Sequence, residues 1–159
     1  MLITCLRHAT AEPHTLTDVE RALVKKGRNQ VQRVASFCRK NALIPEVLLC
    51  SPLRRAEQTA TALKNQLPDC PAPLVVEWLA PGVSVSDVAK ELKKLAQAGV
   101  GDVWLVGHEP GLSELTGQLL QVPAERFLLK KASLTRLDVD LPAKNAGQLL
   151  WSLPCGLMG

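Results

Sequence analysis

Residues 103–112 read VWLVGHEPGL. Four apolar residues, Val103 to Val106, are too few for a helix and suit a strand buried on both faces. The run breaks into Gly107, His108, Glu109, Pro110 and Gly111, and helical spacing resumes near Leu112 to Leu120. The same order occurs twice upstream. Leu2 to Leu6 is an apolar run that ends in Arg7-His8. Val47 to Cys50 ends in SPLRR, where Pro52 suits a first helical turn and Leu53 to Gln66 continues as helix. A strand, a polar cluster and a helix, repeated, is the signature of an α/β domain.

Working outward, the other segments fit that plan. Val24 to Asn41 carries Val31, Val34, Ala35 and Cys38 at helical spacing, and Gly27 argues for a start after it. Leu74 to Trp78 reads as a third strand. Ser84 or Ser86 can cap a helix that runs to Ala98, with Gly99 and Gly101 stopping it. Leu134 to Val139 and Gln148 to Leu153 read as two strands joined by a short polar connection, pairing antiparallel at one end of the sheet. The segment RHATAEPHTLTDVER is a polar loop, and His14 is read as an ordinary loop residue within it. LPDCPAP, residues 67–73, is too short to separate domains, and there is no internal repeat. The expectation is one domain over 1–159 with the order β-α-β-α-β-α-β-α-β-β. Parallel strands flanked by helices bind ligands beyond their carboxyl ends.

Composition narrows the function. The chain has 159 residues, 47% of them hydrophobic, and a net charge of +4. That is globular rather than disordered. No apolar run approaches the roughly 18 residues of a membrane span, and Leu2 to Leu6 lacks the length and basic leader of a signal peptide. A cytoplasmic protein without membrane association is expected. Five cysteines, with no C-x-x-C pair, make a disulfide framework or zinc knuckle a poor reading. With no Tyr, two Phe and three Trp, the chain lacks the rings of a nucleic-acid stacking platform. No nucleotide-binding glycine loop, HExxH motif or close His-carboxylate cluster is present. Neither a metal nor another cofactor is expected.

The convergent groups at the strand ends are Arg7, His8, Arg54 or Arg55, and His108. Guanidinium forks pair two phosphate oxygens at once. A histidine nitrogen can attack phosphorus and hold the phosphoryl group. A second histidine, if protonated, can stabilise the equatorial oxygens.

LRHAT (residues 6–10), SPLRRAEQT (51–59) and LVGHEPGL (105–112) together resemble the histidine phosphatase superfamily, whose fold is phosphoglycerate-mutase-like. The chain is most similar to its small bacterial SixA-type branch of phosphohistidine phosphatases. DVERALVKKG and the closing GQLLWSLP extend the resemblance along the chain. The resemblance implies a three-layer α/β/α sandwich with a mostly parallel central sheet and no lid domain. It implies His8 as the phosphorylated nucleophile, with Arg7 and Arg55 as phosphate ligands. His108 would contact the transferred group, with the Glu109 backbone N–H as an oxyanion donor. Arg21 matches a basic position near the site. Arg54 is then a surface helix residue, and Asp18 and Arg21 could also be no more than a helix-initiating ion pair.

This chain departs from the superfamily's R-H-G signature by having Ala9. Larger members place a proton-donating carboxylate after the third strand. Here that segment is VVEWLAPG, where Glu77 or Trp78 faces inward depending on register. The resemblance implies a metal-independent hydrolase acting on phosphohistidine in a protein, such as a signalling phosphotransfer domain. A small phosphomonoester is the alternative substrate, and a phosphate-binding module without turnover is a third reading. The pairs Lys25-Lys26, Lys93-Lys94 and Lys130-Lys131 read first as solvated faces and second as docking points for an acidic partner.

Overall fold

Residues alternate between the two faces of a strand, so each strand of a central sheet feeds two cores. The computed structural model describes residues 1–13, 17–141 and 147–159. His14 and the connection between the last two strands lie outside them. Within the described residues the strands are β1 (Leu2–Arg7), β2 (Val47–Cys50), β3 (Leu74–Val75), β4 (Asp102–Gly107), β5 (Leu134–Val139) and β6 (Gly147–Leu153). The helices are α1 (Lys25–Lys40), α2 (Arg54–Gln66), α3 (Val85–Gln97) and α4 (Gly111–Leu120). The sheet order is β3-β2-β4-β1-β5-β6. Strands β1 to β4 are parallel, and β5 is antiparallel to both β1 and β6.

Leu48, Cys50, Trp104 and Val106 face α1 and α2, where they meet Val31, Val34, Ala60 and Leu63. Ile3, Cys5, Val103 and Leu105 face α3 and α4, where they meet Val88, Leu92, Leu115 and Leu119. The result is a three-layer α/β/α sandwich with a mostly parallel sheet. All five cysteines are free and buried. Burial pushes the Cys5 thiol up to about 12, so it packs as a small apolar group. No helix among the described residues is long and apolar enough to cross a membrane.

Local signals explain the helix ends. Ser84 Oγ accepts the Asp87 N–H at 3.2 Å, which selects it over Ser86 as the α3 cap. Gly99, at φ +89°, closes α3 with the paired bonds Gly99 N–H to Ala96 O and Val100 N–H to Leu95 O.

Two expectations change. The third strand covers only Leu74–Val75, and Glu77–Leu79 is a 3-10 turn. β3 is an edge strand with one neighbour and exposed side chains, so the chain leaves the sheet after Val76 N–H bonds Cys50 O. Helix α1 starts before Gly27 rather than after it. Gly27 is buried against the backbone of Thr10, where a Cβ would overlap the Thr10 carbonyl. Close approach to another backbone accounts for a glycine inside a helix.

Sheet register places the site. Arg7 pairs Gly107 and Cys50 pairs Val106, so the next residues, His8, Ser51 and His108, emerge side by side at one rim.

Candidate active site

His8 is fixed at both ring nitrogens. Its backbone N–H donates to Gly107 O at 3.0 Å, which ties it to the end of β4. Nδ1 lies 2.8 Å from Ala9 O, and a carbonyl can only accept, so Nδ1 carries the proton. Nε2 then presents its lone pair, and Arg55 Nε–H donates to it at 3.3 Å. Ala9 N–H donates to Thr59 Oγ1 at 3.1 Å, and that hydroxyl donates to Arg55 O at 2.7 Å. The His8 loop and the first turns of α2 are thus bolted together.

Arg55 is buried, and each of its outer nitrogens gives one N–H to Asp18 while keeping a second. Nη1 donates to Asp18 O at 2.7 Å, and Nη2 to Asp18 Oδ2 at 3.0 Å. Arg7 Nη1 donates to Leu129 O at 2.7 Å, whereas its buried Nε has no protein acceptor. His108 Nε2 lies 2.7 Å from Ser51 Oγ. That oxygen also accepts Leu53 N–H at 3.3 Å and keeps a second lone pair, so it can donate to His108 Nε2 or accept from it. His108 Nδ1 is buried and without a protein partner, and it carries the proton in the tautomer in which Nε2 accepts from Ser51. The two imidazoles are 6% exposed each, with centroids 5.0 Å apart.

Burial first, with His108 and Arg55 nearby, lowers the His8 imidazole to about 3, against the Ala9 carbonyl, which raises it. Burial and Arg55 lower His108 to about 4, opposed by Asp18. Both rings are neutral at neutral pH in the free protein. His8 Nε2 is then unprotonated, with its lone pair held by the Arg55 Nε–H. The unpartnered Arg7 Nε–H is a donor suited to anionic oxygens, and His108 Nδ1 is a second in the tautomer that accepts from Ser51. Such an arrangement can transfer a phosphoryl group.

The same residues carry a family signature. The family model for the histidine phosphatase superfamily (branch 1) matches residues 3–78, which contain Arg7, His8 and Arg55. Over that stretch the chain is similar to the histidine phosphatase superfamily. It is 27% identical over 158 residues to phosphohistidine phosphatase SixA of Escherichia coli K12, covering 99% of this chain and 96% of that one. The structure of the protein histidine phosphatase SixA complexed with tungstate superposes over the full length of both chains, with TM-score 0.90 and 23% identity. The alpha-ribazole phosphatase of Shigella flexneri has the same fold, with TM-score 0.77 and 16% identity over 98% of this chain and 97% of that one.

Relative to the superfamily pattern, the structure brings Arg7, His8, Arg55 and His108 together. Arg21 joins them indirectly, through Asp18 Oδ1 at 2.7 Å. The Asp18–Arg21 pair initiates no helix, since α1 begins at Lys25. Arg54 is exposed on α2. Trp78 and Leu79 line a cavity of about 360 Å³ beside His108, but Glu77 does not. The Glu109 carboxylate accepts Ser113 N–H at 3.1 Å and Ser113 Oγ at 2.6 Å, so it caps α4. Ser51, Asp18 and Thr59 are supporting residues that sequence reasoning missed. Ser51 and Thr59 sit in the quoted SPLRRAEQT, but only the fold reveals which atoms they hold.

Proposed function

We propose that this chain is a metal-independent phosphatase that removes the phosphoryl group from phosphohistidine in proteins, with His8 as nucleophile. The observation that carries this is the state of His8: neutral, Nδ1–H tied to Ala9, and Nε2 unprotonated with its lone pair on the Arg55 Nε–H, which a phosphoryl group would displace. In the first step His8 Nε2 forms a bond to phosphorus as the P–N bond of the substrate breaks. The departing imidazole nitrogen takes a proton from water. In the second step water attacks phospho-His8, phosphate leaves, and Nε2 regains its lone pair.

Arg7 and Arg55 bind the phosphoryl oxygens, and His108 Nδ1–H and the Glu109 N–H stabilise charge in flight. A dianion beside His108 opposes the depression of its pKa, so the ring is readied to protonate when substrate is present. Arg21 positions Arg55 through Asp18. Similarity to SixA over nearly the whole chain supports the substrate class. We place the protein in the cytoplasm, as one domain over 1–159, acting on a phosphotransfer protein.

The test compares substrates. An alkyl phosphate expels an alkoxide that needs a proton, and general acid help there is worth about two to four powers of ten. Imidazole titrates near neutrality and can take its proton from water. kcat/KM for a phosphohistidine protein should exceed that for a simple alkyl phosphate by about a hundredfold or more. Equal rates would favour the small phosphomonoester reading. Binding of phosphate with no turnover of an aryl phosphate would favour the binding module.

A further inference from the structure

Arg7 is joined to a second surface. Its Nη1 holds Leu129 O at 2.7 Å, and its carbonyl accepts Ala132 N–H at 2.9 Å. Between these lie Lys130 and Lys131, which line a groove of about 740 Å³. The opposite wall is α1, with Lys25, Lys26 and Arg33. Thr10, two residues beyond His8, lies in the same lining. The groove therefore reaches the segment that follows His8. Burial and the neighbouring Arg7, Arg21 and Arg55 lower the Lys131 ammonium, which places it within the field of the site arginines.

Five cations share this lining, which contains no Asp or Glu among the described residues. None of the five is in an ion pair among the described residues. The whole chain has a net charge of +4, so the groove concentrates more uncompensated positive charge than the molecule has on balance. No aromatic residue lines it, which removes the stacking that single-stranded nucleic acid uses. Leu128 and Leu157, 81% and 71% exposed, lie on the two segments that contribute Lys130 and Gly156. Apolar anchors beside a charged channel suit a polypeptide.

We propose that the groove docks an acidic stretch of the substrate protein next to its phosphohistidine. The proposal rests on the phosphohistidine reading above. The groove gives the enzyme a way to select a protein by its charge, separately from the phosphoryl group.

Two synthetic peptides test it, each carrying one phosphohistidine, flanked by glutamates in one and glutamines in the other. kcat/KM should favour the glutamate peptide by about tenfold or more at low salt, and the preference should shrink as salt rises. Arg33→Glu combined with Lys130→Glu, both exposed positions, should abolish the preference and leave aryl phosphate turnover unchanged. Equal rates for the two peptides in the wild type, or a preference that survives in the variant, would overturn the proposal. Polyglutamate inhibition of aryl phosphate turnover separates the two readings. If neither peptide is a substrate but polyglutamate inhibits the wild type and not the variant, the groove stands and the phosphohistidine reading falls. Inhibition by an oligonucleotide or by anionic vesicles, without inhibition by polyglutamate, would overturn the acidic polypeptide as occupant.

Discussion

The Asp18 carboxylate grips two arginines at once, with one oxygen 2.7 Å from Arg21 and the other 3.0 Å from Arg55. Those hydrogen bonds, Arg21 first, hold its carboxyl down at about 2, so it is ionised wherever the enzyme would work. Arg55 in turn aims Nε at His8. Arg55, the proposed phosphate ligand, is thus oriented from behind by a loop residue. Asp18→Asn should lower kcat/KM for an aryl phosphate about ten- to hundredfold, because a misaimed ligand costs catalysis more than binding. The thermal midpoint should hardly move, since the Asp18 side chain is 41% exposed and such pairs contribute little to stability. Steady-state kinetics and a melting curve on one preparation check both halves. A large loss of stability with unchanged kinetics would make Asp18 structural.

Removing the proposed nucleophile gives a sharper result. His8→Ala should abolish the acid-labile, base-stable phosphoenzyme seen on rapid quench. Turnover should fall about a thousandfold or more, roughly 4 kcal/mol in barrier. Near-native activity in that variant would reject His8 as the phosphoryl acceptor.

The histidines also set a pH dependence. In the folded chain His8 and His108 are lowered to about 3 and about 4, whereas an unfolded histidine titrates near 6.5. Between these values the unfolded chain binds more protons, so stability falls as pH drops from about 6.5 toward 4. The ring resonances of His8 and His108 should stay at neutral-imidazole positions between about pH 5 and 8 in the free protein. Adding tungstate should bring His108 into that window, because an anion favours the charged ring. A free-protein titration of His8 near 6.5 would contradict the burial argument.

The architecture was legible because its signals are local. Apolar runs such as Val103 to Val106, broken by GHEPG, mark strand ends without reference to the rest of the chain. His8, Arg55 and His108 were legible because each falls just beyond such an end. Asp18 was not, since its role depends on two arginines that are remote or unpaired until the loop folds back on α2. The β3 boundary failed because Leu74–Val75 sits at the sheet edge, where pattern does not fix where pairing stops. Gly27 misled for a related reason. Its packing partner, Thr10, lies on another segment.

That contact makes its own prediction. Gly27→Ala places a methyl group on the Thr10 carbonyl, and backbone cannot move aside as a side chain can. Thr10 N–H and Oγ1 are both held by Gln30 Oε1, at 2.8 Å and 2.9 Å, so the loop is pinned to α1 from the other side as well. The loss should be about 1–3 kcal/mol, despite alanine being the better helix former. Chemical denaturation measures it. Because the strained segment begins two residues after His8, activity should fall along with stability. A variant as stable as the parent would show that α1 shifts to accommodate the methyl group.

The last prediction concerns the proton donor. Among the described residues, four carboxylates lie near the histidines in sequence or line the cavity beside His108, and one of them, Glu114, is exposed on α4. Asp18 is held ionised between Arg21 and Arg55. Glu109 is engaged by Ser113 at the head of α4. Glu77 lies in the 3-10 turn and does not line the cavity beside His108, where Trp78 and Leu79 stand instead. Asp18, Glu109 and Glu77 are thus not placed to protonate a leaving alkoxide. A phosphohistidine substrate needs no such group, because its imidazole can be protonated by water. Glu77→Gln should therefore change kcat/KM for a phosphohistidine peptide by less than about threefold, against the two to four powers of ten that a general acid supplies. Its alkyl phosphate activity should be as low as the parent's. If the parent hydrolyses alkyl phosphates well and Glu77→Gln loses that activity, Glu77 reaches the substrate as an acid, and the small phosphomonoester becomes the better substrate.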